Sequence, residues 1–247
     1  MAIQTERVEI PLEGGGTMGG YLAHPGDGEA HPAVVVFMEI FGVNSHIRDV
    51  TERIAREGFV ALAPDYFHRT GPGVELEYDD AGMAEGMKLL GGLKASEMVS
   101  DAKAALAFLR ARSDVHGDRI GATGFCIGGH MTYLAACETD IKAAASFYGG
   151  GIAAPKGPGG EASTVSKTPG IKGKIVCFFG EQDGMIPQSQ VEEIREALAT
   201  AGTRHAVHVY PGADHGFNCD QRATYHEASA KDAWAKMLGL FREELGA

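Results

Sequence analysis

Gly124-Phe125-Cys126-Ile127-Gly128-Gly129 sets a thiol between glycines, straight after an apolar run at residues 120–123 and straight before a helical pattern. Strand, sharp turn and helix in that order are the setting of a nucleophile elbow, G-x-nucleophile-x-G, with cysteine as the nucleophile. The turn is strained, and a side chain at either flanking glycine would collide with the adjoining strand or helix. It also aims the sulfur at a helix N-terminus, whose dipole favours a thiolate. A buried structural cysteine is the plain alternative, but the glycine spacing argues for a nucleophile. A nucleophile needs a base, and His215 in Tyr210-Pro211-Gly212-Ala213-Asp214-His215-Gly216-Phe217 lies just beyond the last expected strand. Open α/β sheets hold their ligands at that carboxyl edge. His205 and His208, on or beside the strand, read as ordinary surface groups. A base needs an orienting carboxylate. Asp183, in Gly180-Glu181-Gln182-Asp183-Gly184-Met185-Ile186-Pro187, follows another apolar run. Asp214 and Glu181 are rivals, but neighbours in an extended turn point apart, so Asp214 would reach the His215 ring poorly.

These residues need elements to hold them. Apolar runs at 33–37, 59–63, 120–125, 143–148, 175–179 and 206–210 predict strands. Several are apolar at consecutive positions, which suits strands covered on both faces of a parallel sheet. Residues 7–11 and 20–23, around a Gly-rich turn, predict a leading hairpin. Helical spacing appears at 46–57, 96–112, 129–137, 191–201 and 223–245. Strands alternating with helices predict an α/β architecture: a mostly parallel central sheet flanked by helices on both faces, with residues 1–247 as a single domain. Two long loops, 67–82 and 149–174, interrupt the rhythm and are candidate rims of a site.

Composition narrows the possible functions. The 247 residues, 44% hydrophobic, suffice for a sizeable core. A formal charge of −11 disfavours a phosphate backbone as partner, so no nucleic-acid binding is expected. Cys126, Cys137, Cys177 and Cys219 lack paired zinc-site spacing and read as free thiols in a reducing cytoplasm. The opening residues show no signal peptide, and no apolar run nears the ~20 residues a membrane helix needs. No metal site is evident, and without a Gly-rich phosphate loop no cofactor is expected. Oligomeric state is not legible.

Met38-Glu39-Ile40-Phe41-Gly42, the elbow, Phe147-Tyr148-Gly149, residues 180–187 and residues 212–217 together resemble the dienelactone hydrolase (carboxymethylenebutenolidase) family, from about Val8 to the C-terminus. The resemblance implies the α/β-hydrolase fold and a triad of Cys126, Asp183 and His215. It also implies that Glu39 contacts the resting thiol and moves when substrate binds; a carboxylate there would hold the sulfur protonated at rest. The backbone N–H groups of Ile127 and Ile40 are the expected oxyanion hole. Tyr148 and Phe217 are candidate substrate contacts. One departure concerns charge. Family members hold a substrate carboxylate with arginines, yet residues 81–90 contain none and Cys219 stands at a second such position. Arg69 and Arg222 lie near in sequence without a clear place in the site. The expected function is therefore thioacyl-enzyme hydrolysis of a small-molecule ester or lactone, neutral ones preferred. The alternatives are a broad esterase or thioesterase, and a redox-sensing thiol on a silent scaffold.

Overall fold

Short runs of Val, Ala and Phe build the middle of the molecule. The computed structural model describes residues 2–246. Strands β1 (Ile3–Pro11) and β2 (Thr17–Pro25) form the leading hairpin. Then come β3 (His31–Phe37), α1 (Ser45–Arg56), β4 (Val60–Pro64), α2 (Asp80–Gly91), α3 (Ala95–Arg110) and β5 (Val115–Phe125). The second half runs α4 (Ile127–Glu138), β6 (Ala143–Phe147), a 3-10 helix (Thr164–Gly170), β7 (Lys174–Gly180), α5 (Gln188–Thr200), β8 (His205–Tyr210) and α6 (Glu227–Leu245). The eight strands make one sheet in the order β1-β2-β4-β3-β5-β6-β7-β8. β1 and β2 pair antiparallel, as do β2 and β4, and every pairing from β4 through β8 is parallel. This is the mostly parallel α/β architecture that the alternating pattern predicts, and it agrees with the α/β-hydrolase fold that the resemblance implies.

β4 and β6 are buried at every position and β3 at all but its first, because helices cover both faces of the sheet. Phe241 and Leu245 of α6 close on the β5 backbone at Gly121, and Phe241 meets Phe59 edge-on at 5.9 Å. β8 is different: every residue is only half-buried, and it forms one edge of the sheet. Arg195 of α5 donates to the Val207 carbonyl there at 3.2 Å.

The structure extends the sequence reading in three places. The hairpin strands and β5 are longer than their apolar cores, because backbone pairing carries on past the residues that need burying. Within the 67–82 loop, Asp79 caps α2 by accepting from the Gly82 N–H at 2.7 Å, a local signal that overrides the loop-like composition. The 149–174 loop is anchored by His130 of α4. Its Nδ1 donates to the Gly150 carbonyl at 3.1 Å, so Nε2 accepts from the Thr164 hydroxyl at 3.2 Å. Among the described residues no helix is long and apolar enough to cross a membrane.

Candidate active site

The parallel strands deliver their loops to one edge of the sheet. Glu39 follows β3, Cys126 follows β5, Tyr148 follows β6, Asp183 follows β7 and His215 follows β8. Cys126 has φ +58°, in a region that a side chain disfavours, and only a strongly held turn keeps it there. Its N–H donates to the Phe147 carbonyl at 3.1 Å, and its carbonyl receives Gly129 at 3.0 Å. The glycines are there for space. A Cβ on Gly124 would meet the Gly128 carbonyl oxygen at 2.1 Å, and one on Gly128 the Phe37 carbonyl oxygen at 2.1 Å. The first turn of α4 therefore rides directly on the end of β3. This brings the Ile127 and Ile40 backbones to the same cleft, and among the described residues neither N–H has an acceptor in the turns and loops.

His215 and Asp183 meet across β7 and β8. His215 Nδ1 and Asp183 Oδ2 stand 2.8 Å apart, both residues buried. Asp183 Oδ1 accepts from the Met185 and Ile186 N–H groups at 2.9 and 3.2 Å, which fixes the carboxylate for the imidazole. The carboxylate of Asp214, the rival, accepts from the His215 backbone N–H at 2.6 Å, and that of Glu181 accepts from Gly212 N–H at 3.1 Å. His215 Nε2 is buried without a hydrogen bond. Burial alone would lower the His215 pKa, but the Cys126 sulfur and then the Asp183 carboxylate outweigh it and push it up to about 10. The three residues picked from sequence are brought together.

Glu39 is fully buried, but its oxygens are taken by other groups than the thiol. Tyr78 donates its hydroxyl to Oε2 at 2.9 Å, and Arg222 Nη1 donates to Oε1 at 3.2 Å. The expected contact between Glu39 and the resting Cys126 is thus replaced by an ion pair, because a buried carboxylate takes a guanidinium in preference to a thiol. The guanidinium is also packed over Phe41 and Tyr78, 5.7 Å from each ring centroid. Gly216, at φ +81°, makes the room: a Cβ there would lie 2.6 Å from Arg222 Nη1. Arg222, three residues beyond Cys219, thus brings a guanidinium to the cleft. Arg69 is out of play, since it grips Asp101 with two hydrogen bonds at 2.7 and 2.9 Å.

The cleft above Cys126 encloses about 160 Å³. Its wall includes Ile40, Phe41, Met83, Leu90, Ile127 and Met185, with Cys126, His215 and Arg222 as its polar members. Met83, Met87 and Leu90 line it at one-turn spacing along α2, a stripe visible in the sequence once that helix is recognised. Gly150, Gly151 and Pro158 come from the loop that His130 anchors. Tyr148 and Phe217 do not line this cleft. Both are fully buried; the Tyr148 ring packs against His215 at 5.1 Å and against Phe217 at 5.3 Å, so they back the base instead of meeting a substrate.

Residues 18–245 match the model of the dienelactone hydrolase family. The chain belongs to that family. It is a hydrolase of ester or lactone bonds. A Synechocystis protein described as "Putative carboxymethylenebutenolidase" is 44% identical, with 98% of each chain covered. One from Escherichia coli K12 with the same description is 37% identical over 98% of this chain and 88% of the relative. A crystal structure of a "Putative Dienelactone Hydrolase" from Klebsiella pneumoniae superimposes with a TM-score of 0.89 at 35% identity, covering 98% of this chain and all of that one. That relative thus shares the fold described above.

Proposed function

We propose that this dienelactone hydrolase relative works through Cys126 as a covalent nucleophile on a small ester or lactone that carries one carboxylate. One observation carries the mechanism: Cys126 sits in a strained elbow at φ +58° beside a His215–Asp183 couple closed at 2.8 Å. In this reading His215, a base of raised pKa, takes the proton of the Cys126 thiol. The sulfur adds to the carbonyl carbon, and the oxyanion is received by the N–H groups of Ile127 and Ile40. His215 gives its proton to the departing alkoxide, leaving a thioester on Cys126. The imidazole next takes a proton from water as the hydroxyl adds to the thioester carbonyl; the departing sulfur then takes that proton back from the imidazole, leaving the carboxylic acid and the Cys126 thiol. Asp183 holds the tautomer throughout.

The substrate class follows from Arg222, the one permanently charged side chain lining the cleft among the described residues. Desolvating a substrate carboxylate is costly without a cationic partner, and Arg222 offers one. The expectation of a neutral substrate, drawn from absent arginines, is accordingly revised. Glu39 becomes a stand-in anion that neutralises Arg222 until the substrate carboxylate displaces it. The chain acts in this reading as one domain in the cytoplasm, with no cofactor and no nucleic-acid partner.

Rapid quenching with an activated ester, followed by peptide mass spectrometry, tests the nucleophile. An acyl adduct is expected on the peptide bearing Cys126; acylation elsewhere, or turnover without any adduct in Cys126→Ala, overturns it. For the substrate, kcat/KM for a carboxylated lactone should exceed that for a neutral lactone of equal size by about tenfold or more, worth about 1.4 kcal/mol in the transition state. A neutral preference would remove Arg222 from substrate binding.

A further inference from the structure

Beside Glu39 lie two side chains, His46 and Cys219, that the hydrolytic steps leave unused. Among the described residues, donor atoms of Glu39, His46 and Cys219 lie within 4.8 Å of one another, and all three residues are fully buried. His46 comes from the first turn of α1, Glu39 from the loop after β3, and Cys219 from the turn after the His215 motif. Neither ring nitrogen of His46 has a hydrogen-bond partner. Leaving such a polar group buried and unsatisfied costs about 1–3 kcal/mol each time. An imidazole with both nitrogens unpartnered can turn either of them to a metal ion. Asp220, 34% exposed and bonded to Arg53, stands 3.6 Å from His46 Nδ1 and marks the side from which a cation would approach.

We propose that Glu39, His46 and Cys219 form a regulatory site for a thiophilic divalent metal ion, zinc in the first place, which pins Glu39 and so inhibits the hydrolase. The donor set is one thiol, one imidazole and one carboxylate, a mixture that suits zinc and not calcium or magnesium. Zinc–ligand bonds of about 2.0–2.3 Å put tetrahedral donors about 3.3–3.8 Å apart, so the trio needs to close by only about 1 Å. On binding, the Cys219 thiol releases its proton to solvent and becomes the thiolate ligand. One proton, that of the thiol, leaves for each ion bound. The two negative ligands balance the 2+ charge, and water completes the shell. Glu39 held by the ion can no longer trade places with a substrate carboxylate. Binding itself does not depend on the proposed hydrolytic mechanism; the inhibition rests on the role given to Glu39 there.

Cobalt(II) serves as the spectroscopic probe, in a Cys126→Ser background so that the nucleophile cannot supply the sulfur. One ion per chain is expected, with tetrahedral visible bands and a thiolate-to-cobalt charge-transfer band in the near ultraviolet. Adding Cys219→Ser should abolish the charge-transfer band, and His46→Gln should weaken binding by about tenfold or more. X-ray absorption of the zinc-loaded Cys126→Ser chain should report a single sulfur among nitrogen and oxygen neighbours, a readout that needs no change at the site. In the chain with Cys126 intact, zinc should suppress ester turnover, and Cys219→Ser should retain turnover while losing the suppression. A missing charge-transfer band in Cys126→Ser, or binding that persists in Cys126→Ser/Cys219→Ser, overturns the site. Binding as described without any inhibition overturns its regulatory part alone.

Discussion

Cys126 and His215 come from loops that are adjacent only because β5 and β8 end at one edge of the same sheet, and each residue's environment suits a different task. Cys126→Ala should lower turnover by about 10⁴-fold or more while leaving the far-ultraviolet spectrum unchanged. His215→Ala should match it, whereas His208→Ala, which loses a ring stacked on Phe178 at 5.6 Å, should spare turnover. Asp183→Asn should cost on the order of 10³-fold or more, since the amide would favour the wrong imidazole tautomer. Asp214→Asn should be far milder, because Asp214 serves only the turn. Steady-state assays on purified variants decide the order; a worse effect from Asp214→Asn would transfer the orienting role. Arg222 separates binding from chemistry. Arg222→Gln should raise KM for a carboxylated lactone by about tenfold or more, the value of a charge-assisted hydrogen bond, and leave a neutral lactone little affected.

At the scale of elements, two glycines in helices have opposite roles. Gly128 opens α4 against β3, where a Cβ would lie 2.1 Å from the Phe37 carbonyl oxygen and 2.5 Å from that of Met38. Backbone cannot yield there, so Gly128→Ala should destabilise by about 3 kcal/mol or more. Gly239 lies inside α6, and a methyl group added to it would find no other atom within 4 Å. Gly239→Ala should therefore stabilise by about 0.5–1 kcal/mol, seen as a higher urea midpoint at unchanged slope. These cases also explain what could be read beforehand. Gly124, Gly128, and the turns holding Asp183 and His215 leave signatures within a few residues of the chemistry, so the elbow, its partners and the parallel strands were legible. The Arg222–Glu39 pair joins positions 183 apart, in room that a side chain at Gly216 would take. No local pattern encodes such a pairing, and the substrate-charge expectation was drawn without it. Tyr148 and Phe217 misled for a related reason: an aromatic beside a catalytic motif can face the site or support it from behind, and only packing distinguishes the two.

For the molecule as a whole, two buried histidines give stability opposite pH dependences. Burial lowers the His130 pKa from 6.5 to about 4, so the native ring stays neutral where the unfolded one is charged. Its contribution is complete above pH 6.5 and is lost as pH falls toward 4, by about 3 kcal/mol. His215 is the reverse: against the pull of burial, Cys126 and Asp183 raise it to about 10, so its contribution is complete below 6.5 and is lost as pH rises through about 10. Urea titrations across this range should show a plateau near neutrality. His130→Gln should flatten the acid side and His215→Gln the alkaline side. An acid limb identical in His130→Gln and the unaltered chain would remove the histidine anchor of the 149–174 loop from the stability account.

The nucleophile rides on an inner strand and its base on the outermost one. Edge strands with half-buried side chains open at lower free energy than the strands they flank. β8 is such a strand, so brief fraying there carries His215 away from Cys126 while β3 to β6 remain paired. A warmed or aged sample can consequently keep its helical signal and its elution volume and yet have lost its turnover. Circular dichroism would then overstate the usable lifetime of the enzyme, and hydrogen exchange at Val207 and Val209 would track it.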